Sequence, residues 1–341
     1  MSEPVRIGVI GVGFGQHVHV PAFRSDPRCE VVAICAHSLE RAERVARQLG
    51  VHEAYGDPQK MLTDGQVDAV SIAVPPSVQP ELVIAAAEAG KHIFCEKPLA
   101  VELPIAVRAF TVVQHAGVVH TIDFIFPEIA AWQQTRSVLE SGTLGKLRHA
   151  ALSWRVETYA FAAGLDSWKK RGDVGGGTLS QFVSHSFYYL EWLLGPVARL
   201  AAHLTPTGGP GDARADLWLE LASGCPVSVS VAADAFLGSG HRLEIYGDTG
   251  TLLLENRTAD YVNGFTLSLG TRGTRAFSTQ VSKPFSHPDG RIGASSAIVR
   301  RFIDAILSGV RAKPNLADGL RVQHLIAAAR TADLTGSWQS V

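Results

Sequence analysis

The stretch VRIGVIGVGFGQ, residues 5–16, decides the fold. Val5 to Ile10 is apolar except for Arg6 and Gly8, the pattern of a strand covered on both faces of a parallel sheet. A glycine-rich turn, Gly11-Val12-Gly13-Phe14-Gly15-Gln16, follows at once. In a dinucleotide site the first glycine makes the tight turn, the second lets the backbone approach a pyrophosphate, and the third lets helix and strand pack closely. Gln16 holds the third position here, with Gly15 just before it, so the match is imperfect. Its place between a strand and a helix expected over His17 to Phe23 strengthens it, and Pro21 keeps that helix short or interrupted.

Outward from this stretch the alternation continues. Cys29 to Cys35 is a second strand, and Ser38 can cap a helix from Leu39 to Leu49 that Gly50 ends. Further strands are expected near Glu53 to Tyr55, Ala69 to Val74 and Val118 to Phe124, and helices from Pro80 to Ala89 and Leu103 to Ala116. Strands separated by helices predict one α/β doubly wound parallel sheet, a Rossmann dinucleotide-binding domain over residues 1–122. After Phe126 the pattern changes. A helix from Pro127 to Ser141, a strand from Leu147 to Thr158 and a helix from Leu179 to Leu194 precede short strands with Gly and Pro turns, from Val197 to about Gln280. Strands linked this way form a mainly antiparallel sheet. Residues 123–341, closed by helices over Ser296 to Leu307 and Gly319 to Ala332, are expected to be an α+β domain for substrate binding and oligomerisation. An open sheet with one helix layer leaves an apolar face, which predicts a homodimer or homotetramer through that sheet.

Composition narrows the function. The 341 residues are 46% hydrophobic and 18% charged with a net charge of -1, which gives no electrostatic reason to expect nucleic acid or an anionic membrane as partner. Cys29, Cys35, Cys95 and Cys225 have no CxxC spacing and read as reduced core residues. No signal peptide or membrane-spanning run is legible, so a cytoplasmic protein is expected. His17 and His19 are two apart, do not share a helical face, and predict no metal site.

The cofactor can be read further. The end of the second strand is where a carboxylate would bind the ribose 2'-hydroxyl of NAD. Ala36-His37-Ser38 stands there, with Arg41 one turn on. The missing acid removes the repulsion a 2'-phosphate would meet, and His37, Ser38 and Arg41 offer donors for it, so NADP is favoured with NAD possible. Ser38 as a plain helix cap and Arg41 as a solvated side chain is the competing reading.

A second stretch, AGKHIFCEKPLA (residues 89–100), carries the chemistry. Gly90 stops a helix, His92 to Cys95 is a short strand, and Glu96-Lys97-Pro98 follows at the carboxyl edge of the sheet, where open α/β sheets place ligands. Pro98 restricts Lys97, so the lysine is held rather than loosely solvated.

Four ordered motifs resemble those of the Gfo/Idh/MocA family of oxidoreductases: the glycine turn with His19-Val20-Pro21-Ala22-Phe23, the stretch 89–100, Gly175-Gly176-Gly177 with His185, and Ala317-Asp318-Gly319-Leu320. The resemblance implies a Rossmann domain, a second domain with a large open-faced sheet, and a nicotinamide cofactor between them. It also implies a hydroxyl-bearing carbon of a sugar, inositol or nucleotide sugar as the reacting group. Expected cofactor contacts are Gly11, Gly13, Phe14, Gly15, Gln16, Ala36, His37, Ser38, Arg41, Pro75, Glu96 and Lys97. Two departures stand out. Relatives with well-formed sites read GGGxLxDxGxH, whereas residues 175–185 read GGGTLSQFVSH, with Gln181 in place of the acid. Gln79 replaces a histidine common in the family and is expected to alter contacts around the nicotinamide.

Hydride transfer to or from a carbinol carbon requires one positioned acid/base for the oxygen's proton. Lys97 is the candidate, because an oxidised, cationic nicotinamide and partial burial both favour its neutral amine. His185 is expected to assist or to position substrate, oriented by Gln181 four residues earlier, against the alternative of a core histidine. Trp168 and Tyr188 are further candidates for lining the substrate pocket, while Lys169 and Lys170 read as solvated charges. Two other functions compete: a lyase or glycosidase that keeps a recycling nucleotide bound, and a non-catalytic nucleotide-sensing regulator.

Overall fold

Six strands, β1 (Val5–Ile10), β2 (Cys29–Cys35), β3 (Glu53–Tyr55), β4 (Ala69–Ile72), β5 (His92–Cys95) and β6 (His120–Ile122), form one sheet in the order β3-β2-β1-β4-β5-β6. Every pairing in it is parallel. The chain therefore steps outward from β1 to β3, then returns across β1 to β4, and the carboxyl ends at that reversal are where such sheets bind ligands. This computed structural model describes residues 3–207, 209 and 211–341. The sheet's helices follow ordinary local rules. Ser38 Oγ accepts a hydrogen bond from Arg41 N to cap Leu39–Leu49, and Asp57 caps Pro58–Thr63.

Nine further strands make the second sheet: β7 (Leu147–Arg155), β8 (Val197–Pro206), β9 (Asp212–Leu221), β10 (Pro226–Ala232), β11 (Gly240–Gly247), β12 (Gly250–Asn256), β13 (Thr266–Thr271), β14 (Ser278–Val281) and β15 (Gln339–Ser340). Their order is β14-β13-β12-β11-β7-β10-β9-β8-β15, antiparallel except where β7 lies parallel to β10. Alternation sets its faces. In β9 Ala213, Ala215, Leu217, Leu219 and Leu221 are buried, while Arg214 and Trp218 point outward. The inward face packs around Phe126, whose ring meets Trp132, Trp154, Tyr189 and His241 edge-on at centroid distances of 5.3 to 5.4 Å.

The outward face corrects an expectation. It is mixed rather than apolar, because its positions carry the pairs Arg199–Glu220 (2.6 Å), Arg214–Asp234 (3.0 Å) and Arg242–Glu244 (2.8 Å), with Trp218 55% exposed among them.

The compact units are discontinuous in sequence, unlike the single division expected after residue 122. One holds the residues up to Ile125 with Arg291–Gln323, the other Phe126–Gly290 with His324–Val341. The returning segment is stitched into the first unit by Ser295 Oγ donating to Asp123 Oδ2 (2.8 Å) and Leu316 N to His120 Nδ1 (3.2 Å). Gly319 of the Ala317-Asp318-Gly319-Leu320 motif lets the last long helix, Leu316–Thr335, pass β6, since a Cβ there would lie 2.7 Å from Ile122 Cδ1.

Two helices expected as plain α-helices begin otherwise. Gly15–His19 and Leu179–Val183 are π-helical turns, followed by α-helices Val20–Arg24 and Ser184–Leu194. Such wide turns interrupt the regular i,i+4 stacking and are frequent at functional sites. All four cysteines are buried free thiols, and no helix among the described residues is long and apolar enough to cross a membrane.

Candidate active site

The glycine turn leaves the carboxyl end of β1 at the sheet's reversal. Gly11 N donates to Cys35 O (2.9 Å), tying the turn to β2. Gly11 has φ +102°, and a Cβ on it would stand 2.2 Å from Ala73 O, so both the conformation and the space require glycine. Gly13 is different: it is exposed, and nothing lies within 4 Å of a Cβ built there. The hollow in front of it is what a pyrophosphate approaching the backbone needs. Gly15 supplies the close helix-to-strand packing one residue early, its Cβ position lying 3.0 Å from Val9 Cγ1. The residues present thus fit a dinucleotide.

At the end of β2, Ala36 is buried and its N donates to Tyr55 O (3.1 Å), while His37 and Arg41 are exposed. Ser38 is engaged as the helix cap, its Oγ accepting from Arg41 N (3.4 Å). Pro75 follows β4 on the same edge and accepts hydrogen bonds from Val78 N (2.9 Å) and Gln79 N (3.1 Å), opening the helix Gln79–Glu88.

Beyond β5 come Glu96 and Lys97, both half-buried, and a cis Lys97–Pro98 peptide. Lys97 N donates to Glu96 Oε2 (3.2 Å). Glu96 Oε1 in turn lies 3.2 Å from His19 Nε2, and Asp123 Oδ2 lies 3.5 Å from the same nitrogen. His19 is fully buried, with Nδ1 2.8 Å from Ser71 Oγ and the ring edge-on to Phe14 and Phe94. Burial alone pulls the His19 pKa down, but hydrogen bonds and charge from Asp123 and Glu96 outweigh it and raise it to about 9. Burial pushes the Asp123 carboxyl above its usual range. Donor atoms of His19, Glu96 and Asp123 lie within 4.8 Å of one another. With the imidazole protonated, Nε2 donates to Glu96 Oε1, with Asp123 Oδ2 3.5 Å away. Glu96 is thereby tied to both His19 and the Lys97 backbone.

In the second unit the triple glycine precedes the π turn, but protein fills its surroundings. A Cβ on Gly176 would meet Trp168 O at 2.3 Å, and one on Gly177, at φ +93°, would meet Asp212 Oδ1 at 2.4 Å. Asp212 accepts from Leu179 N (2.7 Å), and Thr178 Oγ1 donates to Ala213 O (2.7 Å). Burial pushes the Asp212 carboxyl up, opposed by its backbone hydrogen bonds. Gln181 Nε2 donates to Gly175 O (3.2 Å) from within the π-helical turn. His185 is 7% exposed and edge-on to Phe126 at 5.1 Å; Tyr188 and Trp168 are half-buried.

Residues 5–124 match the family described as an oxidoreductase family with an NAD-binding Rossmann fold, and residues 132–253 match the GFO/IDH/MocA C-terminal domain. An uncharacterized oxidoreductase of Synechocystis sp. is 30% identical, over 100% of this chain and 97% of its own. The chain belongs to the Gfo/Idh/MocA oxidoreductase family. Myo-inositol 2-dehydrogenase of Thermotoga maritima is 28% identical, over 80% of this chain and 81% of its own. A structure of levoglucosan dehydrogenase in complex with NADH and levoglucosan is similar in fold, with TM-score 0.87, 24% identity and 99% coverage of both chains.

Sequence reasoning about this Gfo/Idh/MocA chain missed three participants. Asp123 and Ser71 carry no local signal, being brought to His19 by the order of the strands. Arg291, whose guanidinium stands 5.5 Å from the centre of the Phe14 ring, comes from the returning segment.

Proposed function

We propose that this protein transfers a hydride between NADP(H), in preference to NAD(H), and a hydroxyl or ketone carbon of a sugar or inositol-like substrate. The single observation that carries the reading is the Lys97 loop, set at the ligand-binding edge of the β1–β4 reversal and braced through Glu96 by a buried imidazolium. When bound, the nicotinamide supplies the hydride acceptor or donor. Gly13 leaves the turn open to the pyrophosphate, and His37 and Arg41 meet the 2'-phosphate. Lys97 Nζ takes the hydroxyl proton during oxidation and returns it during reduction. His185 assists by positioning the hydroxyl, with Gln181, Trp168 and Tyr188 as further substrate contacts. The myo-inositol dehydrogenase relative supports a polyol substrate.

Spectrophotometric reduction of NADP and NAD against a panel that includes myo-inositol, levoglucosan and common aldoses tests this. Turnover with at least one polyol, faster at equal low concentrations of NADP than of NAD, is expected. Tight nucleotide binding with no net redox change on any compound would instead favour a recycling lyase or a sensing protein. Self-association through the outward face of the second sheet belongs to the same proposal, and a monomer in light scattering at micromolar concentration would contradict it.

A further inference from the structure

Gln79 opens the helix after β4 and is 1% exposed. Its Nε2 lies 2.6 Å from Glu96 O, 3.0 Å from Pro98 O and 3.4 Å from Leu99 O. A carboxamide nitrogen carries two N–H donors, so three carbonyls can be served only by sharing one of them. The orientation is not arbitrary. With the amide turned over, Oε1 would face three acceptor oxygens in a dry setting, an arrangement of unmet acceptors that costs the desolvation of each. These are backbone contacts, and they bracket one residue: Glu96 O precedes Lys97 and Pro98 O follows it. The side chain of Glu96 is held separately, by His19. The peptide groups flanking the lysine are thus gripped from beneath by a side chain that the sequence places 18 residues earlier.

We propose that Gln79 is the positioning residue of Lys97: by gathering the carbonyls on either side of the lysine, its buried carboxamide fixes where the amine stands. This rests on the reading of Lys97 as acid/base. Substituting the donor without changing bulk should loosen the loop while leaving the nucleotide hollow at Gly13 alone. A misplacement of about an ångström in a reacting group can cost about a hundredfold in rate.

The test compares wild type with Gln79→Met, which keeps the length and removes both donors, and with Gln79→His, which retains a ring N–H donor. For Gln79→Met, kcat with the best polyol of the panel is expected to fall about ten- to a hundredfold, with KM and NADP affinity within about threefold of wild type. The pH profile of kcat should be displaced, and the Lys97, Leu99 and Ala100 amides should exchange hydrogen faster. Gln79→His should recover part of each. A wild-type kcat and pH profile in Gln79→Met would overturn the proposal. So would a loss shared equally by nucleotide affinity and unfolding temperature with an unmoved profile, which is the mark of a merely structural residue. If Gln79→Met does not fold, Gln79→His decides: a wild-type profile and exchange rate there refute the positioning role. Full activity in Lys97→Ala would refute the acid/base reading itself, and the exchange rates would still report separately on whether Gln79 holds the loop.

Discussion

The chain contains two glycine-rich turns that each lead into a π-helical turn, and the space around them differs. At Gly13 a Cβ would have nothing within 4 Å, whereas at Gly176 and Gly177 it would strike Trp168 O and the Asp212 carboxylate. One turn faces open space, and the other exists so that backbone and a half-buried carboxylate can approach. Glycine content alone does not distinguish them. Their electrostatics differ as well: the first leads to a buried imidazolium between two carboxylates, the second to Gln181 and His185 with no acid at position 181.

The largest effect that could break this contrast is catalytic. Lys97→Ala should lower kcat by about 10² to 10⁴ with nucleotide affinity nearly intact, while His185→Ala costs less and partly in KM. Equal collapse in steady-state kinetics would mean the two residues act as one relay, and that the neutral turn is not secondary.

Next comes stability. Gly177→Ala forces an L-residue to φ +93° against Asp212, and urea unfolding should show a loss of about 2–4 kcal/mol. A neutral result would mean the second turn has slack like the first.

The units should also differ in how their stability varies with pH. His19 has a folded pKa raised from 6.5 to about 9, so its contribution is complete below pH 6.5 and lost as pH rises through 9. His241 in the second unit is pushed down to about 3 by burial, so its contribution is present above pH 6.5 and lost as pH falls towards 3. His120, lowered to about 4 chiefly by burial, gives the first unit an acid limb too, and burial raises Tyr189 in the second, so the window between pH 6.5 and 9 is the distinguishing one. Hydrogen exchange against pH checks this, and removing His19 by His19→Asn should flatten the alkaline loss.

The smallest effect concerns the adenosine end of the open turn. Ala36→Asp should shift the preference from NADP towards NAD by about tenfold, through repulsion of a 2'-phosphate. Titration showing NAD bound at least as tightly by the wild type would discard the reading of Ala36 to Arg41.

Much of this architecture was legible from patterns that are local. The β1 run, the glycine turn and the Ser38 cap depend on neighbours in sequence, and the helix Leu39–Leu49 lies where its periodicity puts it. What periodicity cannot carry is a pairing made by topology. Asp123 reaches His19 across 104 positions, and the segment Arg291–Gln323 closes the first unit from the far end of the chain. The outward face of the second sheet is mixed because alternate positions of β8 to β11 bear charges, which the openness of a sheet does not reveal. The family resemblance supplied Gln79 as a departure, but only the three carbonyls around its amide show what it holds.

The central claim is that the first glycine turn is the nucleotide's and that the second belongs to the fold. Calorimetric titration of NADPH into wild type and Gly13→Val, with the unfolding temperature of each, tests it most directly. The φ of Gly13 is not in the left-handed region and its surroundings are open, so valine should leave the unfolding temperature within about 2 °C while weakening NADPH binding by at least about tenfold. Unchanged NADPH affinity in a normally folded Gly13→Val protein would contradict the account.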